Sequence, residues 1–205
     1  MNIFEKGLSA YFSAEIINKI QSVRIGIAGA GGLGSNCAMN LVRSGFKMFR
    51  ICDFDKVEPS NLNRQFYFID QIGKNKVDAL SENLKKINPD LNIEMLQIRV
   101  EPGNIRTIFE NCDIVVEAFD CAESKKMLAE TYAGKVKMYV TVSGIAGWGN
   151  TNSIITRKIS DCIYIISDGF SGTEISLPPC SPRVNVAAAK QADLILSAVI
   201  GYFQK

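Results

Sequence analysis

The sequence predicts an α/β protein: a Rossmann-like, mostly parallel central sheet with flanking helices and an added antiparallel pair near the C-terminus. Three observations carry this. Short apolar runs alternate with segments of helical spacing. The run Gly29-Ala30-Gly31-Gly32-Leu33-Gly34-Ser35 directly follows an apolar run and leads into a helical pattern. A carboxylate, Asp53, ends the second apolar run, 19 positions after Gly34. Together these read as a strand, a glycine turn and a helix, built to receive a nucleotide.

The elements follow in order. Ile16, Ile17 and Ile20 share one face of a short lead-in helix. Strands are expected at Val23–Ala28, Met48–Asp53, Ile93–Val100, Ile114–Phe119 and Met138–Val142. Between them Leu33, Cys37, Leu41 and Val42 mark one helix, and Val77, Leu80, Leu84 and Ile87 a second, stopped by Asn88-Pro89. Ile105, Ile108 and Phe109 suggest a short third helix; Met127, Leu128 and Tyr132 belong to a fourth. Such alternation implies right-handed crossovers. After Gly147 the pattern changes: Ser153–Thr156 and Cys162–Ile166 read as neighbouring antiparallel strands, Gly169–Pro182 as a loop, and a last helix starts near Asn185. The expected layout is one domain, 1–205: a helical lead-in (1–22), a nucleotide-binding core (23–147) and a C-terminal part (148–205).

Composition narrows the function. With 205 residues, 47% of them hydrophobic, the chain suits a single full core. A net charge of +2 leaves no bulk signature for nucleic acid. No signal peptide is expected, since Glu5 comes early and no long apolar stretch follows. Ala187–Phe203 is strongly apolar, but Lys190, Gln191 and Asp193 interrupt it, which favours a buried helix or a subunit contact over a membrane span. There is no histidine, which removes Ser-His-Asp and Cys-His nucleophiles and His-ligated metals. Six cysteines without a C-x-x-C pair fit neither a zinc site nor a disulfide scaffold and suggest a reducing, cytoplasmic setting.

In parallel sheets, ligands sit at the carboxyl ends of the strands. Asp53, Asp55 and Asp120 fall there. Asp53 has the position of a carboxylate that holds ribose hydroxyls. Gly29 and Gly31 permit a tight turn and close approach of an anion; Gly32 continues the turn, and Gly34 lets helix pack on strand. The helix start offers free N–H groups. A second cluster, Glu58-Pro59-Ser60-Asn61-Leu62-Asn63-Arg64-Gln65-Phe66 and then Gly73-Lys74-Asn75-Lys76, supplies cations. Arg64 brings a fixed fork for phosphate and Lys76 a point charge; Asn61 and Asn63 can hydrogen-bond phosphate or carboxylate. The plainer alternative is a solvated turn with Lys76 on the outer face of a helix.

These residues, taken together, resemble the ThiF family of adenylyltransferases, relatives of the ubiquitin-activating enzymes. The match runs from about Val23 to Gly147. It rests on the glycine run, Asp53-x-Asp55, Ser60-Asn61-Leu62-Asn63-Arg64-Gln65, Lys76 and Asp120. The short chain and Pro182-Arg183-Val184 are similar to a compact ThiF branch found beside bacterial thiamine genes. The resemblance implies that Asp53 and Asp55 lie at the ATP, that Asn61, Asn63, Arg64, Gln65 and Lys76 surround its phosphates, and that Asp120 ligates Mg²⁺. Arg64, Lys76 and Asp120 would carry the catalysis. The substrate it implies is the C-terminal Gly-Gly carboxylate of a ThiS-like sulfur carrier of thiamine biosynthesis, converted to an acyl-adenylate with release of pyrophosphate. It also implies a homodimer, which the apolar last helix favours, and no membrane or nucleic-acid partner.

The chain departs from many relatives. The C-x-x-C zinc ligands are absent, so zinc is not expected. The N-terminal arginine that reaches a partner subunit's ATP has no counterpart, because Arg24 falls in the first strand. Some relatives use a cysteine to take over the activated carrier; Cys180, in Pro178-Pro179-Cys180-Ser181-Pro182, is the loop cysteine placed to do so, but with no His or C-x-x-C beside it a structural or incidental thiol is the favoured reading. Three other readings stand beside this one. An NAD-dependent oxidoreductase would share the glycine run and Asp53 but leaves Asn61–Gln65 unexplained. An enzyme that activates a tRNA-bound carboxylate would share the whole site. A non-catalytic partner subunit would fit the missing arginine and zinc ligands.

Overall fold

The computed structural model describes residues 2–170 and 177–201. Helices α1 (Ile3–Leu8) and α2 (Ala14–Gln21) lead into β1 (Arg24–Ala28), α3 (Gly32–Arg43) and β2 (Met48–Cys52). Then come α4 (Lys76–Ile87), β3 (Asn92–Leu96), α5 (Ile105–Ile108), β4 (Ile114–Glu117), α6 (Ala122–Tyr132) and β5 (Met138–Ser143). The chain continues through β6 (Ile155–Lys158) and β7 (Ile163–Ser167) to α7 (Ser181–Ile200). Seven strands form one sheet in the order β3-β2-β1-β4-β5-β7-β6.

The central strands are almost purely apolar because both faces are covered. Ile25, Ile27, Val115, Val116 and Val140 are fully buried. On one face lie α3, α4 and α7 with Leu41, Leu80, Leu84 and Ile195; on the other, Phe109, Leu128 and Tyr132 pack under Val115 and Tyr139. β1 pairs in parallel with both β2 and β4, setting Ile27 opposite Ile51 and Val116. The order turns back at β1, with β2 on one side and β4 on the other, and that reversal opens a crevice above the strand ends.

Several expected boundaries move. The third strand stops at Leu96 rather than Val100, and the fourth at Glu117, so Asp120 lies three residues beyond its strand. Ser153 lies in a 3-10 turn, Thr151–Ser153, before β6. The two late strands are antiparallel to each other, as expected, yet β7 runs parallel to β5; β6 alone reverses direction. α7 starts at Ser181, not near Asn185, because Pro182 fits the first turn of a helix, where no N–H is needed. Within the expected Gly169–Pro182 loop, residues 171–176 lie outside the described residues, as does the end of the apolar stretch at 202–203.

The apolar side of α7 is used within the chain. Val184, Ala187, Ala188, Ala192, Ile195 and Val199 are buried against α3, α2 and the sheet. This helix therefore gives no separate argument for a homodimer. Among the described residues no helix is long and apolar enough to cross a membrane.

Candidate active site

The glycine turn is shaped by close approach. Gly29 has φ +100°, a conformation that side chains disfavour, and a Cβ there would lie 2.8 Å from the Ala118 carbonyl oxygen. Gly34 is more restricted: its Cβ would lie 1.9 Å from the Gly29 carbonyl oxygen, so α3 can seat on the turn only without a side chain. Gly31 is different. Its φ of −76° suits any residue, and a Cβ would meet only Gln65 Nε2 at 4.0 Å. What a side chain at Gly31 would fill is the cleft itself. No side chain caps the first turn of α3, so its amides are open to a ligand.

The acidic residues tie this turn to the basic segment. Asp53 Oδ2 accepts from the Ala30 amide at 2.7 Å, and Oδ1 accepts from the Asp55 amide at 2.8 Å. The Asp55 carbonyl accepts from the Lys76 amide at 2.9 Å, and its carboxylate pairs with Lys76 Nζ at 2.8 Å. The Lys76 side chain is 7% exposed and that of Asp55 46%. Lys76 is thus the first residue of α4 and buried, not a cation on the outer face of a helix. Tyr67 closes the arrangement by donating from its hydroxyl to Ala30 O at 2.7 Å. Burial, reinforced by Asp53 and Asp55, pushes the Tyr67 phenol well above its ordinary range, so it stays a donor.

The Asn61–Gln65 string folds around a 3-10 turn, Pro59–Asn61. Asn61 is buried and accepts from the Glu58 amide at 3.1 Å. Arg64 Nη1 donates to Ser60 O at 3.0 Å and to Asn63 Oδ1 at 2.8 Å. Asn36 on α3, which the sequence reading passed over, donates to Gly32 O at 2.7 Å and Arg64 O at 2.8 Å. Ser35 Oγ likewise accepts from the Phe66 amide at 3.0 Å. Gln65 is buried and its Oε1 has no partner, an acceptor left over at the cleft wall.

These features line one open cleft of about 960 Å³ above the strand ends. Of the expected site residues, Gly29, Gly31, Gly32, Asp53, Asp55, Asn61, Arg64, Gln65, Lys76 and Asp120 border it. Gly34 lies beneath the turn. Asn63 does not itself border the cleft; its side chain bridges two residues that do, donating to Pro179 O at 3.2 Å and accepting from Arg64 Nη1 at 2.8 Å. Asp120 is exposed, and among the described residues its carboxylate has no partner.

Two further groups escaped the sequence reading. The fully buried Glu117 pairs with Lys125, which borders the cleft. Asp168 pairs with the buried Arg183, whose Nη1 also donates to Gly149 O at 2.7 Å. The structure separates the two loop cysteines, Cys180 and Cys121. Cys180 is half-buried and does not border the cleft, whereas the exposed Cys121 does. The Cys121 thiol donates to Glu123 Oε2 at 3.0 Å and so faces a carboxylate, not an activating cation. Cys37 and Cys52 are buried structural thiols; burial pushes Cys52 up to about 12.

Comparison with known proteins agrees with this geometry. A family model described as "ThiF family" matches residues 6–203. SUMO-activating enzyme subunit 2 of Dictyostelium discoideum is 32% identical over 177 residues, covering 83% of this chain and 26% of that protein. A probable molybdopterin-synthase adenylyltransferase of Gracilaria tenuistipitata var. liui is 32% identical over 132 residues, covering 63% of this chain and 37% of that protein. The chain thus spans about a quarter to about a third of the length of these relatives. In fold it is similar to E. coli tRNA N6-threonylcarbamoyladenosine dehydratase, TcdA, solved in complex with ATP: the TM-score is 0.86 at 18% identity, covering 96% and 93% of the two chains. A glycine turn held by Asp53, the Asn61–Gln65 string beside it and a family match along nearly the whole chain lead to one assignment: the protein belongs to the ThiF family.

Proposed function

We propose that the chain, acting as one adenylation unit, uses ATP to adenylate the C-terminal Gly-Gly carboxylate of a small ubiquitin-like sulfur carrier. The finer reading is a ThiS-like carrier of thiamine thiazole biosynthesis. The observation that carries the proposal is the shared cleft. An open glycine turn, a strand-end carboxylate and two cations from a separate segment, Arg64 and Lys76, face the same space. A nicotinamide enzyme would need the first two but not the cations.

In this reading the phosphates lie over Gly29–Gly32 and the free amides of α3, with the ribose hydroxyls on the remaining lone pairs of Asp53. The carrier carboxylate is already ionised at neutral pH and needs no general base. Its oxygen forms a bond to the α-phosphorus; the bond to the bridging oxygen breaks, and pyrophosphate leaves with that electron pair. Arg64 and Lys76 offset the charge that builds on the phosphates, and positioning supplies much of the rest. Lys76 is held by Asp55 and is already directed at the cleft. Asn61 shapes the turn that presents Arg64.

The donors present fit a magnesium ion. Among the described residues no three His, Cys, Asp or Glu side chains converge on a metal site, but Mg²⁺ commonly takes one or two carboxylates and fills its shell with phosphate and water. Asp120, unpaired at the cleft, would hold it, and the ion would supply charge neutralisation on the phosphates.

The test is ATP–pyrophosphate exchange with purified carriers ending in Gly-Gly. Exchange that requires the carrier supports the proposal. Exchange driven by a modified tRNA instead would support the tRNA-carboxylate reading, and no exchange with ATP bound would support a non-catalytic subunit.

A further inference from the structure

Glu117 is the last residue of β4 and has no solvent exposure, and the proposed reaction makes no use of it. Its oxygens accept from three donor groups: the Phe119 amide at 2.6 Å, Thr141 Oγ1 at 2.6 Å, and Lys125 Nζ at 3.0 and 2.9 Å. Lys125 directs a further bond to Val142 O at 3.0 Å. Lys125 borders the cleft, but these bonds to Glu117 and Val142 hold its ammonium toward the strand ends.

The placement of this pair suggests what it does. The Lys125 backbone amide donates to Cys121 O at 3.1 Å, in the first turn of α6. Phe119, Asp120 and Cys121 therefore form a short loop clamped at its start by Glu117 and at its end by Lys125. Asp120 stands in the middle, exposed and without a partner of its own. The base of the loop is fixed to the glycine turn, since the Ala118 amide donates to Ala28 O at 2.9 Å and Ala118 O closely approaches Gly29. Stability alone is a weak reason for such a pair, because a well-packed apolar pair of similar volume is often as stable as a buried ion pair. What it supplies here is a fixed distance between the phosphate turn and the Asp120 carboxylate.

We propose that Glu117 and Lys125 are positioning residues that hold Asp120 where it can bind a divalent cation together with nucleotide phosphates. This rests on the adenylation reading. The two can fail separately.

The experiment titrates an α,β-methylene ATP analogue into the protein by calorimetry, in EDTA and in saturating Mn²⁺, with thermal melting of each variant. Wild-type protein should bind in both conditions, and more tightly with Mn²⁺. Glu117→Gln and Lys125→Met should lose about 10- to 100-fold of the Mn²⁺ enhancement, the range for partners of a metal ligand, with affinity in EDTA unchanged. Lys125→Arg should restore it. The uncharged double variant Glu117→Leu/Lys125→Met should melt near wild type and still lack the enhancement. A folded double variant that keeps the full enhancement overturns the proposal, as does one that loses EDTA affinity to the same extent. Wild-type protein that binds no analogue in either condition refutes the adenylation reading itself, and the inference with it.

Discussion

The Ala30 amide donates to Asp53 Oδ2 at 2.7 Å, so the carboxylate expected to meet the ribose also holds the glycine turn in shape. Asp53→Ala should therefore weaken more than a ribose contact. Hydrogen bonds to a charged group are worth about 1.5–3 kcal/mol, roughly 10- to 100-fold in affinity. We expect losses of that size for ATP and for 2′,3′-dideoxy-ATP alike, measured by calorimetry. A loss confined to ATP would reduce Asp53 to a ribose ligand.

Gly31 and Gly34 should separate binding from folding. Gly34→Ala places a methyl 1.9 Å from the Gly29 carbonyl oxygen, and overpacking of this kind typically costs about 1–3 kcal/mol or more. Its melting temperature should drop by several degrees. Gly31→Ala meets no neighbour and no backbone strain. It should melt like wild type and fail to bind ATP. Equal melting losses in the two variants would contradict this contrast.

Asp120→Ala should abolish pyrophosphate exchange without altering the melting curve, because the carboxylate is exposed and unpaired. Lys76→Met should lower exchange by about 100-fold or more, as loss of a preorganised charge does, while leaving half-exposed Asp55 in water at little cost to stability. Normal exchange in either variant would remove that residue from the chemistry.

Cys180→Ser should leave exchange unchanged, since the thiol does not border the cleft. Cys121→Ser should too, because its thiol is engaged with a carboxylate. A large loss in either would bring back a cysteine step.

Stability should fall in alkali. Thiols in the unfolded chain ionise near pH 9, whereas burial raises Cys112 to about 11 and Cys52 to about 12. Between those values the unfolded chain has released protons that the folded one keeps, so the folded state is increasingly disfavoured as pH rises. Each such thiol contributes at most about 1.4 kcal/mol per pH unit. The melting temperature should decline from about pH 9 upward, and Cys52→Ala should flatten that decline.

What the sequence revealed depended on how local the signal was. The glycine turn and Asp53 were legible because strand, turn and strand end lie within one stretch of chain. Lys76 was legible as a cation, but its burial was not: Gly73-Lys74-Asn75-Lys76 has the composition of a surface turn, and only the fold brings Asp55 beside it. Glu117 sits inside an apolar run that continues to Phe119, and its partners Lys125 and Thr141 come from the next helix and the next strand. Asp168 and Arg183 meet through the packing of α7, which no local spacing encodes. Cys121 is hard to find because the apolar run continues two residues past the end of β4 and hides the loop before α6.

The ties that build the nucleotide grip have a shared property. Ala30 to Asp53, Asp53 to Asp55, Asp55 to Lys76, Asn36 to Arg64 and Ser35 to Phe66 all close within residues 24–76. Asp120 arrives from a different stretch, on its own clamp. The glycine turn with its two cations and the carboxylate proposed to hold the metal are thus set by separable parts of the chain. On the proposed function, a descendant that lost the Glu117–Lys125 clamp would keep the turn and its cations but not the placement of Asp120, so an inactive subunit with an intact nucleotide cleft lies only a few substitutions away.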